Sequence, residues 1–442
     1  MIIIYRAYKL KKHKSKCRFC QNELKETFIN LGLSPISNAY IKEENLQFKE
    51  NFYPLHSYIC KNCLLVQLID FESAEMHFNE NYAYFSSFSE SWLKHCSDYT
   101  DMIFEKLNLN SDSRVIELAS NDGYLLQYFK NKNIQTLGIE PSASVAKASQ
   151  DKGIDTLIEF FGSKLAKKLS KVGTKADLIV GNNVLAHVPD IGDFVKGVKI
   201  LLKKNATVTM EFPHLLNLIK FNQFDTIYHE HFSYLSLLSI QKIFQNKGLD
   251  VYDVEELLTH GGSLRIYACH QGEKQIFERV NNLLKKEKDF GLDKISTYKN
   301  FGFKVKQLKR NILKALIEIK NKGKTIVGYG AAAKGNTLLN YCGIGNDFID
   351  YVVDKSPYKQ GLFLPGTHIP IESPEKISQT KPDYIFILPW NIKDEIISQL
   401  SYTKEWKCKF IVPIPEVYEI GAEEIMVSGL LQEAHKIKNS VS

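Results

Sequence analysis

Val115–Phe129, V-I-E-L-A-S-N-D-G-Y-L-L-Q-Y-F, limits the fold more than any other stretch of the chain. Val115 to Leu118 is a short apolar and β-branched run broken only by Glu117, and Leu125, Leu126 and Phe129 then recur at helical spacing. The pattern predicts a strand, a small-residue turn and a helix start. Such a turn offers backbone N–H groups to a close ligand, with Gly123 lacking the side chain that would block it. A second strand, Thr136 to Ile139, ends in Glu140. An acid at that strand tip accepts hydrogen bonds from a ribose diol, in dinucleotide and S-adenosylmethionine sites alike. The turn lacks the G-x-G-x-x-G that brings backbone against pyrophosphate, so a sulfonium cofactor without phosphate fits it better. An ordinary βαβ unit with an exposed Glu remains the alternative on this stretch alone.

Further strands at Ile154–Ile158, Asp177–Gly181 and Ala206–Phe212 alternate with helical patterns, which predicts an α/β, doubly wound sheet. Asn182 and Asn183 follow a buried strand at its carboxyl end, where open sheets bind ligands. Phe160 and Phe161 are placed to stack on a base or to fill the core. Ahead of a helix from about Glu90 to Leu107, Asn81–Ser89 is dense in hydroxyls and aromatics. Tyr82, Tyr84, Ser86 and Ser87 either close over a ligand or pack one domain on the next.

Near the N-terminus, Cys17-Arg-Phe-Cys20 and Cys60-Lys-Asn-Cys63 are two C-x-x-C knuckles. Each donates two thiolates from a tight turn, and together they bind one structural zinc ion with no open position for catalysis. A redox pair is the rival reading. So is a grip on nucleic acid, but the knuckles carry only Arg18 and Lys61, and no arginine-rich or aromatic-basic stripe follows. The other four cysteines, Cys96, Cys269, Cys342 and Cys408, read as reduced thiols, in keeping with a cytoplasmic protein.

Phe224-Asp-Thr-Ile-Tyr228-His229-Glu230-His231-Phe-Ser-Tyr gathers two imidazoles, a carboxylate and a phenol within four residues. These are costly to bury without a task. A His titrating near neutrality, a Glu to orient or charge it, and a Tyr to donate to an oxyanion together suit general acid–base chemistry. A polar helix start packed on the sheet is the alternative. In Thr259-His-Gly-Gly-Ser-Leu-Arg265-Ile-Tyr267 the two glycines predict a turn into a strand, with Arg265 free to reach a phosphate or carboxylate.

Gln275–Asn321 is charged and helical in pattern, with breaks expected at Gly291 and Gly302. Beyond it, Lys324-Thr-Ile-Val-Gly-Tyr-Gly330-Ala-Ala-Ala-Lys334 repeats the strand, glycine turn and helix of a nucleotide-binding unit, its second strand ending in Asp354. Alone it suggests a nicotinamide cofactor. Strands at Tyr384–Leu388 and Lys409–Val412 complete that layer.

Cores of real size are allowed by a 442-residue chain that is 44% hydrophobic. The formal charge of +7 comes from dispersed lysines, which suits an acidic or phosphorylated substrate as well as solvated faces. Met1–Tyr5 is too short an apolar run for a signal peptide, and no segment approaches a membrane span. The expectation is a soluble, cytoplasmic monomer with no membrane or nucleic-acid partner.

Taken together, the paired knuckles, E-L-A-S-N-D-G-Y-L-L, G-I-E-P-S, N-N-V-L-A-H-V-P-D, F-D-T-I-Y-H-E-H-F-S-Y, T-H-G-G-S-L-R-I-Y and G-Y-G-A-A-A-K-G-N-T-L-L resemble the nucleotide-sugar C-methyltransferases, such as the deoxysugar 3-C-methyltransferases. The likeness runs in one register from about Cys17 to Glu419. It implies a zinc-binding module (1–78), an S-adenosylmethionine-binding Rossmann-like methyltransferase domain (79–292) and a second Rossmann-like domain for the nucleotide sugar (293–442). It further implies His231 as general base, Tyr228, Glu230 and His187 beside it, and Ser120, Asn121, Gly123, Glu140, Asn182 and Asn183 around the cofactor. Tyr82, Arg265, Gly330 and Lys334 are the substrate-binding expectations, Lys334 toward phosphate. The implied substrate is a nucleoside-diphosphate keto-sugar, dTDP-linked. Rival functions are an NAD(P)-dependent keto-sugar reductase using the Gly330 turn, a nucleotide-sugar sensor, and a zinc-containing RNA-binding methyltransferase.

Overall fold

The computed structural model describes residues 15–69 and 85–421 and contains three sheets. In the first, β1 (Glu26–Ser34), β2 (Tyr53–Ile59) and β3 (Val66–Leu68) form an antiparallel meander. Along β2, Leu55, Ser57 and Ile59 point inward and their neighbours are half-exposed, the two-residue period of a sheet with one dry face. Its fourth strand, β9 (Ser233–Tyr234), comes from the middle of the chain and pairs with β3.

The second sheet has seven strands: β4 (Arg114–Leu118), β5 (Gln135–Ile139), β6 (Thr156–Leu157), β7 (Ala176–Asn182), β8 (Leu202–Pro213), β10 (Leu249–Leu257) and β11 (Ser263–His270). Their order is β10-β11-β8-β7-β4-β5-β6, parallel except for β11. Helices cover both faces, so β4 and β7 read as nearly continuous apolar runs. The chain runs outward from β4 to β6 and returns beside β4 as β7. That reversal opens a crevice at the carboxyl ends of β4 and β7.

The third sheet, β12 (Ile326–Tyr329), β13 (Val352–Val353), β14 (Ile371–Glu372), β15 (Tyr384–Ile387), β16 (Lys409–Val412) and β17 (Tyr418–Gly421), is ordered β14-β13-β12-β15-β16-β17. Its own reversal lies between β12 and β15.

Between the second and third sheets the expected helical segment forms two helices, Glu278–Phe290 and Ile295–Asn321, separated at Gly291 as predicted. Gly302 does not break the second one. Tyr298, Phe301, Val305, Leu308, Ile312, Leu316 and Ile319 keep one buried stripe running through it. Burying that stripe outweighs the cost of one internal glycine, about 1 kcal/mol relative to alanine. The stripe also seats the first sheet, since Phe28 of β1 stacks on Phe301 at 4.8 Å. Among the described residues no helix is long and apolar enough to cross a membrane.

Candidate active site

A cavity of about 370 Å³ lies over the crevice between β4 and β7, within the range for small-molecule sites. All three sheets contribute to its wall. On the central sheet, the turn after β4 holds two non-glycine residues in the left-handed region, Ala119 at φ 55° and Asn121 at φ 48°. Strain of this kind concentrates where a chain is shaped for a ligand. The Glu140 carboxylate secures it, accepting the Asn121 N–H at 3.0 Å and the Ser142 N–H at 2.8 Å. Burial pushes the Glu140 carboxyl up from its usual value, and those two N–H donors oppose the shift. Each carboxylate oxygen retains a lone pair.

Asn121, Glu140, Asn182 and Asn183 line the cavity, as do Phe160 and Phe161. Ser120 and Gly123 shape the turn from behind. The Ser120 hydroxyl packs beneath Gly138, and a Cβ on Gly123 would meet Ile154 Cδ1 at 2.5 Å. Over the turn, the Ser86 N–H donates to Asn121 Oδ1 at 3.0 Å. Tyr82 lies outside the described residues.

The second group sits on the loop between a short 3-10 turn, Phe224–Thr226, and β9. That stretch is an irregular buried loop, not a helix start. The His231 Nδ1 is 2.8 Å from the Thr226 carbonyl oxygen, which only accepts, so Nδ1 carries the proton. Nε2 then presents its lone pair, and the Tyr228 hydroxyl donates to it at 2.8 Å. His187 packs edge-on against His231 with ring centroids 4.6 Å apart. Burial, reinforced by the neighbouring His187, holds His231 well below the usual imidazole value, so it is neutral at pH 7. Glu230 is pushed up to about 7 by burial, opposed by a hydrogen bond from Asn38. All four line the cavity, whereas His229 turns away toward Tyr53.

From the third sheet come Ala332, Ala333, Lys334 and Lys359. Burial lowers the Lys334 ammonium, with Asp225 opposing. Gly330 does not reach the cavity, because it packs on Pro389. Arg265 is likewise elsewhere: its guanidinium donates to Glu211 at 2.9 Å and to Glu255 at 3.0 Å, inside the central sheet. Both terminal nitrogens are engaged by these carboxylates, and Arg265 does not line the cavity. Burial alone would raise Glu211; the His95 hydrogen bond and the Arg265 charge outweigh it and bring the carboxyl to about 2.

Sequence reasoning passed over Trp92, Tyr124, His260, Asn38 and Lys359, which also line the cavity. Trp92 stacks on His95 and lies 5.0 Å from His260, whose Nε2 is 3.0 Å from Asn183 Nδ2. Burial takes His260 down to about 4. Its only sequence signal was its place in the T-H-G-G turn, and it stands there at φ 52°.

The cavity fits S-adenosylmethionine chemically. Glu140 supplies acceptors for a diol, aromatic faces flank the wall, and Asn182 Nδ2 is a buried donor with no partner among the described residues. The four knuckle thiols fit zinc. Their sulfurs lie within 4.8 Å of one another, with Cys17–Cys63 and Cys20–Cys60 each at 3.5 Å. Tetrahedral zinc with bonds of about 2.3 Å requires sulfurs a little under 4 Å apart. Each knuckle is followed by a residue in the left-handed region, Gln21 and Leu64, and the Gln67 amide donates to Cys17 Sγ at 3.2 Å.

Family models match a zinc binding domain at residues 17–78, a methyltransferase domain at 82–254 and a C-methyltransferase C-terminal domain at 258–415. The C-methyltransferase NovU of Streptomyces niveus is 33% identical over 412 residues, covering 93% of this chain and 98% of that protein. Among solved structures, an S-adenosylmethionine-dependent methyltransferase from Clostridium acetobutylicum aligns at 14% identity and TM-score 0.33, covering 41% of this chain and 92% of that one. Magnesium protoporphyrin IX methyltransferase of Synechocystis, solved with the cofactor bound, aligns at 14% identity and TM-score 0.31, covering 41% and 82%. The family models and the NovU match, spanning nearly the whole chain, carry the assignment: the chain belongs to the S-adenosylmethionine-dependent C-methyltransferases, with a zinc-binding domain at its N-terminus.

Proposed function

We propose that the enzyme methylates a carbon beside the ketone of a nucleoside-diphosphate sugar, dTDP-linked in the first instance. The observation that carries the reading is one cavity whose lining brings together the Glu140 turn, the His231–Tyr228 pair and Lys334. The resemblance to nucleotide-sugar C-methyltransferases supports the substrate class, and a lysine beside the start of the helix Ala333–Cys342 suits a diphosphate.

S-adenosylmethionine supplies a methyl group on a sulfonium, which an electron-rich carbon accepts without metal or redox help. The protein's task is to make that carbon electron-rich. His231 Nε2, neutral and fixed in its tautomer by the Thr226 carbonyl, takes the proton from the carbon beside the ketone. The substrate displaces the Tyr228 hydroxyl from Nε2, and that hydroxyl donates to the developing enolate oxygen. His187, against the face of His231, is the second donor in reach of the same oxygen. Asn121, Glu140, Asn182 and Asn183 hold the methyl donor, and holding both reactants in one cavity removes much of the entropic cost of their encounter.

Calorimetric titration with S-adenosylhomocysteine, then dTDP, then NAD(H) tests the reading. Binding of the first two and not the third is expected. Binding of S-adenosylhomocysteine without any nucleoside diphosphate overturns the substrate class and leaves the methyltransferase assignment in place.

A further inference from the structure

Glu230 faces the cavity, yet the side chain that holds it comes from the zinc-binding module. Between β1 and β2 that module sends out a strap, Ser37–Ile41, across the other two domains. Asn38 Nδ2 donates to Glu230 Oε1 at 2.8 Å and also lines the cavity. Two residues on, the Tyr40 hydroxyl donates to the Ala331 carbonyl at 2.6 Å, and Ile41 and Phe363 exchange both backbone hydrogen bonds at 2.9 and 2.8 Å. The far end of the catalytic loop is pinned to the same module. The Leu68 N–H donates to the Phe232 carbonyl at 3.0 Å, and the next two residues form β9 of the module's own sheet.

We propose that the zinc-binding module is a working wall of the active site, and that Asn38 is a positioning residue that holds the Glu230 carboxylate facing the cavity. The role of Glu230 in turnover rests on the function proposed above; the Asn38–Glu230 contact does not. Burial disfavours the charged carboxylate, and the Asn38 N–H favours it. The other titratable groups around it leave Asn38 that task. Tyr40, on the strap, is kept protonated by its own burial. His231, on the same loop, is neutral, and Lys334 and Lys359 stand on the third-domain wall of the cavity, Lys359 engaged with Asp354 and Ala331.

Asn38→Ala and Asn38→Asp, made in the full zinc-loaded chain, test this. Protonated Glu230 gives a carboxyl C=O band in infrared difference spectra, identified by its loss in Glu230→Gln. Its midpoint near pH 7 is expected to rise by about one pH unit in Asn38→Ala. The rise should be larger in Asn38→Asp, which keeps the side chain's shape but sets a second carboxylate opposite the first. Zinc content and melting temperature should stay at the wild-type values, and the ionisation in the kcat profile should move with the band. A band that stays in place in both variants overturns the proposal. A band that moves as expected, in a protein that methylates no nucleotide keto-sugar, upholds the Asn38 contact and overturns the substrate reading alone.

Discussion

The second and third sheets build the same device at their points of reversal, and only one of the two is open. In the second, Glu140 accepts the Asn121 N–H from the turn after β4 and the Ser142 N–H two residues beyond itself. In the third, Asp354 accepts the Ala331 N–H from the turn after β12 and the Ser356 N–H two residues beyond itself, each at 2.8 Å. Past Glu140 lies the cavity. Past Asp354 lies Lys359, 3.4 Å away, which donates in turn to the Ala331 carbonyl at 2.8 Å, where the Tyr40 hydroxyl also docks. A Cβ on Gly330 would stand 2.6 Å from Pro389. An acid at the tip of the second strand is therefore first a brace for the glycine turn. It becomes a ligand site only where the neighbouring elements leave it room. The Gly330 turn, which alone suggested a nicotinamide cofactor, is packed by Pro389, Lys359 and Tyr40 at Gly330 and Ala331, and meets the shared cavity only from Ala332 onward.

The largest effect should come from the open side. His231→Asn is expected to lower kcat by about 10²–10⁴-fold while S-adenosylhomocysteine binds as before, read by single-turnover kinetics and calorimetry. Retention of near-full activity would move the base to His187. Next, Glu140→Gln should weaken S-adenosylhomocysteine about 10–100-fold, the scale of hydrogen bonds to a charged group. The matching Asp354→Asn should leave that affinity unchanged and lower the melting temperature instead, because it strands Lys359. Equal loss of cofactor affinity in both variants would break the comparison.

Gly330→Ala sharpens it on stability. The residue stands at φ +89° against Pro389, so a methyl group there should destabilise the fold by about 1–3 kcal/mol, measured by denaturant unfolding, with cofactor affinity intact. At Gly123, φ +74°, a methyl group pushes the Ser120–Asp122 turn off Ile154, and affinity should fall together with stability.

The open and filled sites look alike in sequence because what separates them is not local. The strand, turn and acid of each are legible from periodicity and glycine placement, as are the C-x-x-C knuckles and the Y-H-E-H cluster. Pro389 fills the Gly330 turn from 59 residues away, and Lys359 and Tyr40 close on Ala331 from two different domains. Arg265 shows the same limit. The glycine turn before β11 predicted an arginine free to reach a phosphate or carboxylate, but Glu211 of β8 and Glu255 of β10 flank it and take its charge. Asn38 and Trp92 were illegible for the same reason: each is one unremarkable residue, on a loop and on a helix, that only tertiary packing brings to the cavity.

Lys359→Met gives the smallest expected change and probes the filling itself. The variant keeps the aliphatic stem and removes the ammonium, so Asp354 keeps its two N–H donors and loses the cation. The loss should be about 1 kcal/mol, a drop of about 2 °C in the melting temperature. Pro389 still occupies the space beside Gly330, so NAD(H) should remain unbound in calorimetry. Because Lys359 also lines the cavity, KM for the sugar substrate should rise while the affinity for S-adenosylhomocysteine holds. Binding of NAD(H) to this variant would mean that one ammonium separates the two sites. The third domain would then be a dinucleotide site held shut by one lysine, and not a domain that meets the shared cavity only through Ala332, Ala333, Lys334 and Lys359.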